Sequence, residues 1–167
     1  MSSYTDFARI YDELMTDIPY DLYVKRILDT CNHPSGKSLL DIGCGTGVLA
    51  SKFAEAGFDV QAIDLSEEML TIAQQRFSIK QQHIPLYCMS MAQLSGFEEI
   101  DVAIIAIDSL NYLDEEHEVT ETFSAVYDSL KKGGHFFFDV HSLYKMDELF
   151  LDGPFTFENE SQAYIWH

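Results

Sequence analysis

The stretch Leu39-Leu40-Asp41-Ile42-Gly43-Cys44-Gly45-Thr46-Gly47-Val48-Leu49-Ala50 decides how this chain is read. Apolar residues lead into Asp41, three glycines follow at alternate positions, and a helix-like run begins at Val48. That order predicts a strand, a sharp turn and a helix N-terminus. Glycine accepts positive φ without steric cost, and lacking a Cβ it lets a ligand lie against the backbone. The N–H groups that open a helix have no partner inside it and face such a ligand. Asp41 adds an acceptor for an ammonium or hydroxyl. The stretch reads as a binding loop.

The spacing of the glycines narrows the ligand. Gly43, Gly45 and Gly47 read G-x-G-x-G, one residue tighter than the G-x-G-x-x-G dinucleotide pattern. No Lys-Ser or Lys-Thr follows, so the phosphate-cradling P-loop is absent. Asp41-x-Gly43-x-Gly45-x-Gly47 resembles motif I of the class I S-adenosylmethionine-dependent methyltransferases.

Composition sets bounds on the rest. A chain of 167 residues, 47% hydrophobic and 13% aromatic, is long enough for one domain with a sizeable core. The formal net charge of −18 repels phosphate backbones and disfavours nucleic acid or an anionic membrane as the main partner. Cys31, Cys44 and Cys88 are odd in number with no C-x-x-C pair, and the six histidines lack ligand spacing, so neither disulfides nor metal are expected. There is no apolar run of membrane-spanning length and no signal peptide, which makes a reducing cytoplasm the default location.

Along the chain, Tyr4, Phe7, Ala8, Tyr11 and Leu14 form a helical stripe. Pro19 breaks that helix, and Asp21 is expected to cap a second over Leu22–Cys31. Lys37–Ile42 is the strand entering the glycine turn, Thr46–Ala56 the helix after it, and Gly57 its stop. Phe58–Ile63 reads as the next strand, with Asp64 at its carboxyl end, on the same crevice as Asp41 in a parallel βαβ unit. Ser66 is the expected N-cap of the following helix, which leaves Asp64 for a ligand's ribose hydroxyls. Pro85–Met89 is a short strand, and Asp101–Ile107 a near-continuous apolar run suited to a central one. Asp108-Ser109-Leu110-Asn111-Tyr112-Leu113 then places polar side chains at a strand's carboxyl end. Asp114 is expected to cap a helix buried through Val119, Phe123, Val126, Tyr127 and Leu130 and closed by Lys131-Lys132-Gly133-Gly134. His135–Val140 is a fifth strand ending in Asp139, His141 and Ser142; a short helix over Tyr144–Phe150 and further strand patterns follow. Alternating strands and helices specify an α/β fold with a doubly wound, mostly parallel sheet and helices on both faces.

The resemblance extends over nearly the whole chain. Tyr4-x-x-Phe7-Ala8-x-x-Tyr11-Asp12 resembles the opening of small class I methyltransferases, where it folds over the cofactor as a lid. Asp108-Ser109-Leu110-Asn111-Tyr112 resembles motif IV, close to a group of small bacterial methyltransferases, and is not the Asn/Asp-Pro-Pro-Tyr signature of base or amide methylation. Leu130-Lys131-Lys132-Gly133-Gly134 and the strand after it resemble motif VI. The family's Asp at the adenine position is Ser90 here, a weaker acceptor without charge. The resemblance implies a Rossmann-like fold with S-adenosyl-L-methionine as cofactor. It places Tyr11, Asp41, Gly43, Cys44, Gly45, Gly47, Asp64, Leu65, Ser90, Met91 and Asp108 on the cofactor side, and Asp108, Asn111, Tyr112 and His141 on the catalytic side. It divides the single domain into a helical lid (1–33), a nucleotide-binding core (37–142) and the start of a truncated C-terminal substrate region (143–167). The implied activity is methyl transfer to a small-molecule acceptor by in-line displacement. A non-catalytic cofactor-binding protein and a dinucleotide-dependent oxidoreductase are the alternatives; the acceptor and the oligomeric state are not legible.

Overall fold

β1 (Ser38–Ile42) lies in the middle of a five-stranded sheet, and from Leu39 to Ile42 its side chains are buried. The computed structural model describes residues 11–12, 15, 17–31, 33–149, 155–158 and 163–166. With β2 (Asp59–Asp64), β3 (Leu86–Cys88), β4 (Ile100–Ile105) and β5 (Leu130–Phe138), the sheet runs β3-β2-β1-β4-β5. Every neighbouring pair is parallel. Parallel neighbours require crossovers. Here α2 (Val48–Glu55) joins β1 to β2, α3 (Glu67–Ile79) joins β2 to β3, and α4 (Glu116–Ser129) joins β4 to β5. α1 (Tyr20–Cys31) precedes the sheet, and a π-helical turn over Lys145–Leu149 follows it. β6 (Phe155–Glu158) and β7 (Ala163–Trp166) form a separate antiparallel pair.

Successive strand side chains leave opposite faces, so the apolar runs feed two cores. Leu39, Val60, Ala62, Val102 and Ile104 pack with Ile27 of α1, Phe53 of α2 and Phe77 of α3. Leu40, Ile42, Ile63, Ala103 and Ile105 pack on the other face with Phe97, Leu110 and Val126 of α4. The sheet is therefore doubly wound: the chain crosses from β3 at one edge to β4, and the strand order reverses between β1 and β4. At that switch point the carboxyl ends of neighbouring strands part and open a crevice.

Several boundaries differ from those read in the sequence. α1 begins at Tyr20, which puts Asp21 inside its first turn, where it pairs with Lys52 of α2 at 2.7 Å. α2 begins only at Val48, because Gly47 takes the left-handed conformation and ends the turn. Ser66 caps α3 as expected, accepting from the Met69 N–H at 3.2 Å. α4 is opened by Glu115, not Asp114: the Glu118 carboxylate reaches back to the N–H groups of both, each at 3.2 Å. Tyr127 stays exposed while Thr122, Val126 and Ser129 carry the buried face of α4. Lys131-Lys132-Gly133-Gly134 does not end the helix but belongs to β5, whose pairing with β4 shifts register there. Gly134 permits the shift, since a Cβ on it would lie 2.9 Å from the Ile100 carbonyl oxygen. The N-terminal stripe lies outside the described residues except for Tyr11. Among the described residues, no helix is long and apolar enough to cross a membrane.

Gly47 and Gly45 both sit at positive φ, 76° and 54°, but their surroundings differ. A Cβ on Gly47 would lie 2.7 Å from the Phe77 ring, itself fully buried, whereas one on Gly45 would meet nothing within 4 Å. Gly47→Ala therefore adds a core clash to the left-handed cost of about 1–2 kcal/mol, which is all that Gly45→Ala incurs. Urea unfolding should show Gly47→Ala to be less stable than Gly45→Ala by at least ~1 kcal/mol; equal losses would refute the packing role of Gly47.

Candidate active site

The glycine turn is held from below and from the side. The Ile63 carbonyl of β2 accepts from the N–H groups of both Gly43 and Cys44, each at 2.9 Å. Gly47, the N-cap of α2, has no side chain to offer the helix, and Asp41 replaces it by accepting from the Ala50 N–H. Only one Asp41 oxygen is used in this way. Oδ2 is buried and has no hydrogen-bond partner among the described residues. Burial, with the Asp64 carboxylate adding to it, pushes the Asp41 pKa up to about 7. A buried acceptor without a donor is costly, and here it faces a cleft.

That cleft is lined by Asp41, Gly43, Cys44, Gly45, Thr46, Ala106, Ile107 and Ser109, and covered by Tyr11 and Tyr20. Its volume is about 30 Å³, room for water and no more. Burial raises the pKa of both phenols, so they stand over the cleft as neutral donors. The neighbouring Asp12 accepts from the Thr46 hydroxyl at 2.6 Å and pairs with Arg76 of α3. Burial and the carboxylates of Asp41 and Asp64 push the Cys44 thiol well up, which makes it a poor nucleophile.

Asp64 does more than wait for a ligand. Its Oδ2 accepts from the Gly45 N–H at 2.7 Å and its Oδ1 from the Ser66 N–H at 2.9 Å, so it ties the glycine turn to the start of α3. A carboxylate has about four acceptor sites, which leaves capacity for hydroxyl groups in the crevice. Leu65 beside it is 71% exposed, an apolar surface open to a ring. Ser90 caps a short 3-10 turn, accepting from the Ala92 N–H at 3.3 Å. Met91 reaches under the turn, its Cε 3.4 Å from where a Gly43 Cβ would stand.

On the far side of the cleft, Ile107 and Asp108 follow β4 with φ of 59° and 61°. Left-handed backbone costs a non-glycine residue roughly 1–2 kcal/mol, and for a β-branched isoleucine it is a genuine outlier. The Asp108 Oδ2 lies 3.0 Å from His141 Nε2 and 2.5 Å from Lys145 Nζ. The Asn111 side chain donates to the Asp108 carbonyl at 3.1 Å and accepts from the His141 N–H at 3.3 Å. Asp108, Asn111 and His141 are thus brought together as the sequence implied, while Tyr112 stands at the rim, 80% exposed. The sequence places Asp139 at the end of the fifth strand without a role, and does not single out Lys145, Tyr23 or Tyr20. Asp139 and Lys145 join the cluster across 31 and 37 residues, and no local motif marks them.

The residues around the glycine turn match a cationic, hydroxyl-bearing ligand in donor and acceptor type, and known proteins identify it. A family model described as Methyltransferase domain matches residues 39–134. The chain is 46% identical over 167 residues to the "Putative methyltransferase" of Geobacillus sp. (strain WCH70), covering 98% of this chain and 68% of that one. It is 44% identical over 164 residues to "Putative methyltransferase YqeM" of Bacillus subtilis (strain 168), covering 98% and 65%. The chain therefore spans about two thirds of the length of these relatives. The crystal structure of an S-adenosylmethionine-dependent methyltransferase from Clostridium acetobutylicum ATCC 824 superposes with a TM-score of 0.83 at 30% identity, covering 99% of this chain and 68% of that one. The chain belongs to the class I, S-adenosylmethionine-dependent methyltransferase family.

Proposed function

We propose that the protein transfers a methyl group from S-adenosylmethionine to a small-molecule acceptor by in-line displacement. The unpartnered, buried Asp41 Oδ2 beneath the glycine turn carries the reading, because it supplies what a cationic amino acid moiety needs. The cofactor, when bound, supplies a methyl group already activated on a sulfonium. The chain's own tasks are to bind, orient and keep water out. Asp41 holds the ammonium of the methionine part, and Gly43, Cys44, Gly45 and Gly47 let it lie against the backbone. Asp64 takes ribose hydroxyls with its remaining lone pairs, beside Leu65; Ser90 and Met91 border the adenine. Tyr11, Asp108, Asn111 and Tyr112 surround the methyl group, and Asp108 with His141 accepts the proton of an O–H or N–H acceptor.

A small molecule is favoured as acceptor because the −18 charge repels nucleic acid, and the segments that carry Asp108 and His141 also expose the apolar side chains of Tyr112, Val140, Leu143 and Tyr144. Free Cys31, Cys44 and Cys88 accord with a cytoplasmic location. In this reading residues 37–142 form the cofactor core.

The raised Asp41 pKa gives the reading a pH signature. Its folded value, about 7, lies above its ordinary 3.8, so the neutral acid is favoured in the ligand-free protein. Stability from this group is complete below the ordinary value and is lost as pH rises through 7. The loss amounts to roughly 4 kcal/mol at most. Asp41→Asn should abolish that loss and make the ligand-free protein more stable at pH 8 in urea unfolding.

Binding of the cationic donor has the opposite dependence, since it needs the carboxylate. Isothermal titration with S-adenosylmethionine between pH 5.5 and 7.5 should show affinity rising and levelling near 7. Asp41→Asn should bind at least about tenfold more weakly, without that rise. Binding of NAD in place of the sulfonium compound would sink the proposal.

A further inference from the structure

The two left-handed residues that end β4 are held by hydrogen bonds from a distant carboxylate. Asp139, just past β5, accepts from the Ile107 N–H at 3.1 Å with Oδ2 and from the Asp108 N–H at 2.8 Å with Oδ1. Its own N–H donates to the Ile105 carbonyl at 3.2 Å, which fixes it against the last residue of β4. The Tyr23 hydroxyl of α1 donates to Oδ2 at 2.5 Å; burial first, and this bond second, keep that phenol protonated. Ile107 also packs against the apolar core, while Tyr23 and Asp139 border an apolar hollow of about 360 Å³ with Ile104, Ala106 and Phe137. Backbone strain persists only where surrounding groups over-determine it, and it collects at functional positions. Here its product is the direction of one side chain: from this backbone the Asp108 carboxylate meets both His141 and Lys145.

We propose that Asp139, backed by Tyr23, is the positioning residue of the acceptor side: it holds Ile107 and Asp108 left-handed and thereby aims the Asp108 carboxylate between His141 and Lys145. Its value to catalysis rests on the reading of Asp108 given above. The geometry itself does not, and is tested without donor or acceptor.

Trace labelling of the full chain with acetic anhydride, read by mass spectrometry, reports how firmly each ammonium is held. Lys25, Lys52 and Lys80 pair with carboxylates on other parts of the surface and serve as references. Asp108→Asn should raise labelling of Lys145 severalfold. Asp139→Asn, which leaves Asp108 and Lys145 in place, should give most of that rise, and Tyr23→Phe a smaller one, with the references unchanged. Amide hydrogen exchange at residues 107 and 108 should quicken about tenfold or more in Asp139→Asn. Lys145 unmoved in Asp139→Asn but released in Asp108→Asn overturns the proposal, as does no release in Asp108→Asn. If Asp139→Asn raises all four lysines by unfolding, Tyr23→Phe decides, and no change at Lys145 in that variant overturns it. Donor titration of the same proteins is read separately, so loss of donor binding in the unaltered protein refutes the proposed function and leaves the positioning result standing.

Discussion

The carboxyl edge of a parallel sheet leaves backbone N–H groups without ladder partners wherever a strand turns into a loop, and each must find an acceptor. In this protein three aspartates at strand ends meet that demand. Asp41 serves the start of α2, Asp64 the glycine turn and the start of α3, and Asp139 the two residues after β4. Each carboxylate lies on one strand and holds the loop of another or the helix that follows. The crevice is therefore a set of loops cross-tied by charge-assisted hydrogen bonds, which are about twice as strong as neutral ones. Burying a carboxylate is costly, and Asp41, the deepest of them, shows that cost in a pKa raised by burial first and by the neighbouring Asp64 second.

Cations are the scarce partner in so acidic a chain, with ten lysines and arginines against 28 acids. Several of them join separate elements: Lys52 links α2 to Asp21 of α1, Lys80 links α3 to Glu55 of α2, and Lys131 links β5 to Asp101 of β4. An exposed pair such as Lys80–Glu55 contributes at most about 1 kcal/mol and weakens with salt. Stability comes from the two apolar cores, and the ion pairs orient what the cores hold.

Much of this was legible in the sequence because its causes are local. Alternation and apolar runs gave all five strands of the main sheet, and the cap at Ser66 follows from chemistry within one helical turn. The glycine turn was readable because left-handed backbone next to a ligand demands that residue. The errors arose where a remote partner overrides the local signal. Lys131-Lys132-Gly133-Gly134 has the look of a helix end, yet pairing with β4 draws it into β5. Asp114 looks like a cap, but Glu118 folds back to open α4 one residue later. The Tyr23–Asp139–Asp108–Lys145 chain was invisible for the same reason, its first link joining residues 116 apart. Asp64 was read as ligand-facing from its place at a strand end, and its ties to Gly45 and Ser66 appear only once the turn is folded.

The closed cleft has a consequence for timing. With Tyr11 and Tyr20 in place the space beside Asp41 admits a water molecule, far short of a nucleoside. Entry of a nucleoside requires the lining of this cleft to move apart, and Asp12, beside Tyr11, is tied to Thr46 and Arg76. The observed affinity is then the intrinsic affinity multiplied by the fraction of molecules standing open. Association proceeds no faster than that opening, whatever the donor concentration.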